Sequence, residues 1–365
     1  MKKKGTLAVL TGGGDCPGLN AVIRAVVRTC LQNGYEIYGV ANGFHGLITN
    51  DMKLMDYSDV SGILPRGGTV LGTTNRDNPF HYPVGEDDKG ELIYKDMSDI
   101  VMQSLRGHEV DCLIVIGGDG SLKIGEELSR TCGMKVVGVP KTIDNDLPCT
   151  ERTFGFDTAM NVATEALDRL HTTAESHHRV MVLEVMGRYA GWIALHSGIV
   201  GGADIILIPE IPYNLDSVIA KLEERRDQGK KFSVVTVAEG AKPLGGDITI
   251  ARMVKGSFEP IRLGGIGEKL ARTIEEKTGI ESRCTVLGYL QRGGTPTPYD
   301  RVLATRYGVA AVEAYMRGDV NTMVALKANH IVTVPIAKVA SEPHLVPVDS
   351  DIVSAARHVG ISFGD

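Results

Sequence analysis

Residues 7–20 read LAVLTGGGDCPGLN, an aliphatic run that stops at consecutive glycines and hands over to a segment of helical period, Ala21 to Gln32. A short continuous apolar run ended by glycine is the pattern of a strand buried on both faces. The same arrangement returns along the chain. DCLIVI (111–116) runs into GGDGS, KVVGV (135–139) into PKTIDND, and RVMVLEV (179–185) into MGR. ADIILI (203–208) is followed by PE, FSVVTV (232–237) by AEGA, and RCTVLGY (283–289) by LQRGG. Segments of helical period stand between them at 121–130, 158–173, 215–228 and 266–278. Apolar runs alternating with such helices predict an α/β fold with mainly parallel sheets flanked by helices. In open sheets of this kind ligands bind beyond the carboxyl ends of the strands, so the glycine-rich and charged tails point chemistry at one or two clefts. The polar stretch 78–90 (NPFHYPVGEDDKG) reads as a surface loop. No internal repeat or linker is visible, so the chain is expected to cross between domains more than once.

The length, 365 residues, fits about two domains. Hydrophobic residues make up 43% and charged residues 23%, which excludes a largely disordered or fibrous chain. Glycine is the outlier at 44 residues, about 12% against a usual ~7%. Lys and Arg number 39 against 45 Asp and Glu, a net charge of −6, so nothing favours nucleic acid or an anionic membrane as partner. The six cysteines contain no C-x-x-C pair and several lie in apolar runs, which reads as reduced thiols in a cytoplasmic protein. The basic start MKKK precedes too short an apolar run for a signal peptide, and no run is long enough to span a membrane.

Three tails carry most of the chemistry. GGGDCPGLN (12–20) joins a strand to a helix, and consecutive glycines let backbone N–H groups converge on a phosphate. The alternative is a tight turn with no ligand. A dinucleotide fingerprint fails because Pro17 stands where the third glycine belongs, and no G-K-[ST] exists for a Walker A loop. In GGDGS (117–121), Asp119 suits Mg²⁺, which takes one or two protein carboxylates and keeps most of its waters; an N-cap is the competing reading. PKTIDND (140–146) gathers Lys141, Thr142, Asp144, Asn145 and Asp146, more than capping a loop requires. One of its carboxylates could act as base on a hydroxyl and the other face a metal or cation. Arg179, Arg188, Arg283 and Arg292 recur at strand boundaries or beside glycines, where guanidinium groups suit phosphate. Met181 and Met186 read as strand packing, Trp192 as core, and His177-His178 lack zinc spacing.

Together, LTGGGDCPGLNAVIRAVV, GGDGS, PKTIDND, ESHHRVMVLEVMGRYAG, VAEGA and ESRCTVLGYLQRGGTPTPYDR resemble the phosphofructokinase A family from Leu7 to about Arg301, in family order and spacing. The resemblance implies two lobes, 1–155 plus about 291–341 for the phosphoryl donor and 156–290 plus about 342–365 for the sugar phosphate, with the active site in the cleft between them. It implies transfer of a phosphoryl group to the 1-hydroxyl of fructose 6-phosphate, giving fructose 1,6-bisphosphate. Asp144 is then the general base, Thr142 lies beside the transferring group, Asp119 serves Mg²⁺, and Arg188 and the Gly14 backbone stabilise the transition state. Gly13, Arg76, Asp77, Gly118, Asp119, Gly120 and Ser121 would line the nucleotide site. Thr142, Ile143, Asp144, Met186, Gly187, Arg188, Glu239, Tyr289, Leu290, Gln291 and Arg292 would line the sugar-phosphate site. Arg179 and Arg283 would reach a neighbouring subunit's sugar site, which requires a homodimer or homotetramer.

Two positions in this resemblance bear on the donor. Gly120 matches ATP-using members and leaves room for an α-phosphate, whereas Lys141 matches pyrophosphate users, a mixture that resembles the family's mixed-substrate branch. Charge and space favour ATP, because a carboxylate at position 120 would repel an α-phosphate while a lysine only adds positive charge. Pyrophosphate is the alternative donor. A non-catalytic sugar-phosphate sensor is the alternative of another class, against which Asp119, Thr142 and Asp144 argue. At the family's effector site Arg24 and Arg28 match, but Met52, His171, Ala203 and Phe232 replace charged or polar residues, so little classical effector control is expected.

Overall fold

The expected alternation of strand and helix is realised as two mainly parallel sheets in a computed structural model, which describes residues 3–253, 261–340 and 342–365. The chain begins β1 (Thr6–Thr11), α1 (Leu19–Gln32), β2 (Glu36–Val40), α2 (Phe44–Ile48), β3 (Met52–Leu54), β4 (Tyr82–Glu86) and β5 (Leu92–Lys95). It continues α3 (Ser98–Gly107), β6 (Cys112–Gly117), α4 (Asp119–Cys132), β7 (Val136–Thr142), β8 (Phe154–Gly155) and α5 (Phe156–His177). Next come β9 (Val180–Val185), α6 (Trp192–Val200), β10 (Ile205–Leu207), α7 (Leu215–Asp227) and β11 (Ser233–Ala238). The last part holds β12 (Ile250–Met253), β13 (Ile261–Leu263), α8 (Ile266–Thr278), β14 (Ser282–Val286), α9 (Pro298–Arg317), β15 (Thr322–Lys327), β16 (His330–Pro335) and α10 (Asp351–His358).

Eight strands form the larger sheet, in the order β3-β2-β1-β6-β7-β15-β16 with β8 beside β7. Its middle strands are parallel, and only β3 and β16 at the two edges run antiparallel. From β1 the chain moves outward to β2, then returns to the other flank of β1 at β6. That reversal makes the crevice beyond β1 and β6 the place where a ligand finds room. The register Leu7↔Cys112 through Thr11↔Ile116 sets the glycine tails of both strands side by side. Gly12 N–H donates to Ile116 O at 2.9 Å. The smaller sheet, β10-β11-β9-β14, is wholly parallel, so the tails of β9, β11 and β14 leave from one end of it.

Burial explains why the apolar runs are strands. β1, β6, β9 and β11 are buried along their whole length, which requires apolar residues on both strand faces. Segment 78–90 departs from the expected loop, since β4 lies within it and pairs antiparallel with β5. That hairpin has no core beneath it; Val84, Ile93 and Tyr94 are exposed, so no buried face imposes an alternating pattern. His81 stacks on Tyr94 there.

Three helices start at glycine N-caps whose N–H groups are met by carboxylates from elsewhere in the chain. Asp300 accepts from Gly155 N–H (3.0 Å), Thr158 N–H (2.8 Å) and the Thr158 hydroxyl (2.6 Å) at the start of α5. Both oxygens of Glu210 accept from Gly191 N–H, at 3.0 and 3.1 Å, at the start of α6. Glu184 accepts from Gly265 N–H (3.0 Å) and Gly267 N–H (2.7 Å) at the start of α8. Each carboxylate satisfies donors that a helix leaves open and meets its partial positive charge. Among the described residues no helix is long and apolar enough to cross a membrane, and all six cysteines are free thiols.

Candidate active site

The tails of β1 and β6 meet at the crevice. Gly12 and Gly117 are required by the closeness of their approach: a Cβ on Gly12 would lie 2.5 Å from Ser121 Oγ, and one on Gly117 would lie 2.3 Å from Ser121 Cβ. The helix after the first tail does not open to the crevice as its sequence implies. Gly18, Leu19 and Asn20 at the start of α1 are buried, and the accessible part of the loop is Gly13 to Asp15. By contrast α4 starts at the crevice, with Gly118 as N-cap, no side-chain cap, and Gly118, Asp119 and Gly120 reachable from solvent. Its first-turn N–H groups and positive end are suited to an anion.

Gly13 is held from the other side by residues that sequence reasoning missed. Its N–H donates to Thr74 O at 3.0 Å, and the Thr73 hydroxyl donates to Gly13 O at 2.6 Å. Thr74 in turn carries Asp77, its hydroxyl donating to the carboxylate at 2.6 Å, and accepts from Arg76 N–H at 3.1 Å. Arg76 and Asp77 therefore ride on the loop that braces Gly13. The only local signal for this was the polar pair Thr73-Thr74 two residues before Arg76.

Asp119 is half exposed and pairs with Lys123 at 2.9 Å, one turn along α4. Among the described residues no three His, Cys, Asp or Glu side chains gather as a metal cluster. A lone carboxylate beside open first-turn amides still fits Mg²⁺, which takes one or two protein carboxylates and keeps most of its waters. It would not fit a metal that needs an all-protein cage.

PKTIDND forms a braced turn at the end of β7. Asp144 N–H donates to Thr142 Oγ at 3.1 Å, and the Thr153 hydroxyl donates to Thr142 O at 2.7 Å. Asn145 adopts φ 53°, the left-handed region that asparagine tolerates best after glycine. Its side-chain oxygen accepts from Thr153 N–H at 2.9 Å. Ile143 is buried, whereas Thr142 and Asp144 on either side of it are reachable. Lys141 is buried and its ammonium donates to Gly14 O, so that burial lowers its pKa.

From the smaller sheet, the tails of β9, β11 and β14 arrive together. Glu239 N–H donates to Val185 O, Gly240 N–H to Gly187 O, and Met186 N–H to Gln291 Oε1 at 3.3 Å. Arg188 donates to Ile261 O at 2.9 Å. Burial and the nearby Glu184 carboxylate push Glu239 up to about 6, against the opposing pull of Arg292 and Arg188. Arg292 crosses the cleft: it donates to Asp15 O at 3.1 Å, and a Cβ on Gly14 would lie 2.6 Å from its guanidinium. Gly14 has to be glycine for that arginine to rest on the loop.

Two expected residues, Arg179 and Arg283, lie apart from this cleft. Arg179 precedes β9 and Arg283 lies near the start of β14, the ends of the sheet opposite Met186–Arg188, about 20 Å away along a strand. Arg179 pairs with Glu281 at 2.8 Å, and Arg283 with Glu281 and, at 3.1 Å, with Glu275. Tyr289 and Leu290 are 70% and 68% exposed, so Gln291 and Arg292 alone of that helical turn point inward. At the effector-site positions, His171 packs edge-on against Phe232 and its Nε2 lies 3.3 Å from Gly202 O, while Ala203 is buried.

Residues 6–315 match the family model described as Phosphofructokinase. Over 361 residues, 98% of each chain, the sequence is 53% identical to ATP-dependent 6-phosphofructokinase 2 of Clostridium perfringens (strain 13 / Type A). It is 52% identical to the pyrophosphate--fructose 6-phosphate 1-phosphotransferase of Amycolatopsis mediterranei (strain S699), over 94% of this chain and 96% of that one. Among solved structures, phosphofructokinase of Pichia pastoris in the T-state superposes with TM-score 0.78 at 30% identity. That likeness covers 99% of this chain, which spans 37% of the longer yeast chain.

Proposed function

This chain belongs to the phosphofructokinase family, and on that premise we propose that it transfers the γ-phosphoryl group of MgATP to the 1-hydroxyl of fructose 6-phosphate. The products are fructose 1,6-bisphosphate and ADP, a step of glycolysis. The observation that carries this reading is the convergence of an uncapped α4 start, the braced Asp144 turn and the Arg188–Glu239–Arg292 group on one cleft.

Phosphoryl transfer asks mainly for alignment and for positive charge on the transferring oxygens. Gly14 and Gly118–Ser121 hold the donor phosphates through N–H groups, with Gly13, whose own N–H is taken by Thr74 O, shaping the loop beside them and Arg76 and Asp77 on the nucleotide side. Asp119 would hold Mg²⁺, which supplies charge neutralisation on the phosphates when bound. Thr142 and Asp144 face the sugar hydroxyl. Asp144 takes the hydroxyl proton as the oxygen bonds to the γ-phosphorus and the bond to the β-phosphate oxygen breaks. Arg188 and the Gly14 N–H stabilise the charge on the transferring group. Glu239, Gln291, Arg292 and residues 186–188 orient the sugar phosphate.

ATP is favoured over pyrophosphate by the place of Lys141, whose ammonium is committed to the Gly14 carbonyl in the buried floor of the site. There it adds positive charge without filling the space that Gly120 leaves open. Lys141 is also the observation that favours the second reading, a pyrophosphate-dependent transferase. The lobes are assigned as 1–155 with about 291–341, and 156–290 with about 342–365; the third crossover, at Ser341, lies outside the described residues. Arg179 and Arg283, at the far end of the smaller sheet, are assigned to a neighbouring subunit's sugar site in a homodimer or homotetramer. The free thiols fit a cytoplasmic enzyme, and the aromatic packing of His171 on Phe232 fits weak effector control.

Initial rates with fructose 6-phosphate and Mg²⁺, given ATP or pyrophosphate at matched concentrations, test the reading. Turnover with ATP is expected. Turnover with pyrophosphate alone would overturn the donor, and turnover with neither would overturn the activity.

A further inference from the structure

We propose that the segment 342–350 is a strap tying the catalytic turn to the sugar-binding side of the cleft, with His344 the positioning residue that holds the turn. The proposal rests on Asp144 acting as base. His344 makes two bonds to residues directly after Asp144: its N–H donates to Asp146 O at 2.8 Å, and its Nδ1 lies 3.0 Å from Asn145 O. A carbonyl oxygen only accepts, so the proton of this imidazole sits on Nδ1.

The other side of the strap reaches the smaller sheet. Trp192 Nε1–H donates to His344 O at 2.9 Å, and the two rings face each other at 4.9 Å between centroids. Two residues on, Val346 N–H donates to Glu210 Oε1 at 2.9 Å, the carboxylate that also receives Gly191 N–H. Gly191 ends the loop that begins at Met186–Arg188, and Trp192 opens α6. One short segment therefore holds both the turn that carries Asp144 and the loop that carries Arg188.

The turn needs such a hold. Asn145 sits at φ 53°, a conformation that persists where surrounding bonds fix it. Thr153 fixes its side chain, and His344 fixes its carbonyl. With the His344 ring gone, the Asn145–Asp146 peptide loses the bond to its carbonyl and keeps only the main-chain bond from His344 N–H to Asp146 O, so the turn loosens and the Asp144 carboxylate drifts from the line of attack. Misplacements of about 1 Å at such a group cost on the order of 10²-fold in rate; partial loosening costs less.

The test compares His344→Ala, His344→Asn and Trp192→Phe in the full chain, reading kcat, both KM values and hydrogen exchange in residues 142–146. His344→Ala is expected to lower kcat on the order of tenfold, with KM for sugar phosphate and ATP within about twofold, and to speed exchange in the turn. His344→Asn, whose amide nitrogen can stand where Nδ1 stood, is expected to recover most of both. Trp192→Phe keeps one ring against His344, trims the indole and removes its N–H donor to His344 O, so a smaller fall in kcat at unchanged KM is expected; it stands in if His344→Ala does not fold. Wild-type kcat and exchange in His344→Ala, equal losses in His344→Ala and His344→Asn, or a change confined to KM would overturn the proposal. So would unchanged kcat in Trp192→Phe where His344→Ala cannot be made. If the wild type turns over with neither donor, the phosphotransfer reading fails by itself, while exchange in the turn still decides whether His344 holds it.

Discussion

The start of α4 and the starts of α5, α6 and α8 share a glycine cap and meet opposite fates. All four helices are capped by a glycine without a side-chain hydrogen bond. At α5, α6 and α8 the open N–H groups are filled by Asp300, Glu210 and Glu184, so an incoming anion would meet a carboxylate. At α4 the one first-turn acid, Asp119, turns along the helix to Lys123 and leaves the N–H groups to the crevice. A helix N-terminus is thus open to an anion only where the tertiary fold declines to fill it. That choice is made by residues distant in sequence.

The largest effect is expected where the open end meets the base. Asp144→Ser should lower kcat by about 10³-fold with sugar-phosphate affinity largely kept, measured by steady-state rates and by binding of fructose 6-phosphate. Near-normal turnover would remove Asp144 from its role. Gly120→Asp gives α4 the carboxylate that the other three helices already have. It should reduce kcat/KM for ATP by about 10²-fold while Tm stays near that of the wild type, since nothing packed is lost. Unimpaired use of ATP would mean that the phosphates lie elsewhere.

The converse change opens a filled end. Asp300→Ala strands two buried backbone N–H groups and a hydroxyl at the start of α5, a loss of about 3 kcal/mol that thermal unfolding should register as several degrees in Tm. KM for ATP should stay within about twofold, because no substrate is assigned to that end. The smallest effect concerns Glu239, pushed up to about 6 by burial, above the ordinary carboxylate range of an unfolded chain. Its protonated form is favoured by folding, so its contribution is fully present below about pH 4.5 and is lost as pH rises through 6. Glu239→Gln should therefore raise Tm relative to wild type at pH 8, with the difference shrinking toward pH 4.5. A constant difference across that range would contradict the assignment.

Much of the fold was legible because burial on both faces leaves a plain trace. Each apolar run read from the sequence is a strand, and the helices at 121–130, 158–173 and 266–278 are α4, α5 and α8. Helix α9 was not read, because its buried face, through Leu303, Ala304, Tyr307, Ala311 and Ala314, is mostly alanine, while the apolar Val302 and Met316 are exposed off that face, so no strong apolar stripe stands out. Helix α6, WIALHSGIV, is so uniformly apolar that its period is equally strand-like. Among the candidate site residues, those that end a strand or come soon after one could be named from the sequence: Gly13, Asp119, Thr142, Asp144, Arg188 and Glu239. Their supports could not. Asp300 is 145 residues from the Gly155 N–H it accepts, and His344 is 199 residues from Asn145, with no local pattern to announce either.

On the proposed function the open α4 end, alone among these four, receives the donor phosphates. A crystal structure with Mg²⁺ and a non-hydrolysable ATP analogue tests it most directly. The terminal phosphates are expected against the N–H groups of Gly118–Ser121 and Gly14, with the γ-phosphate facing Asp144. Phosphates bound away from that end, or at a displaced Asp300, Glu210 or Glu184, would contradict it.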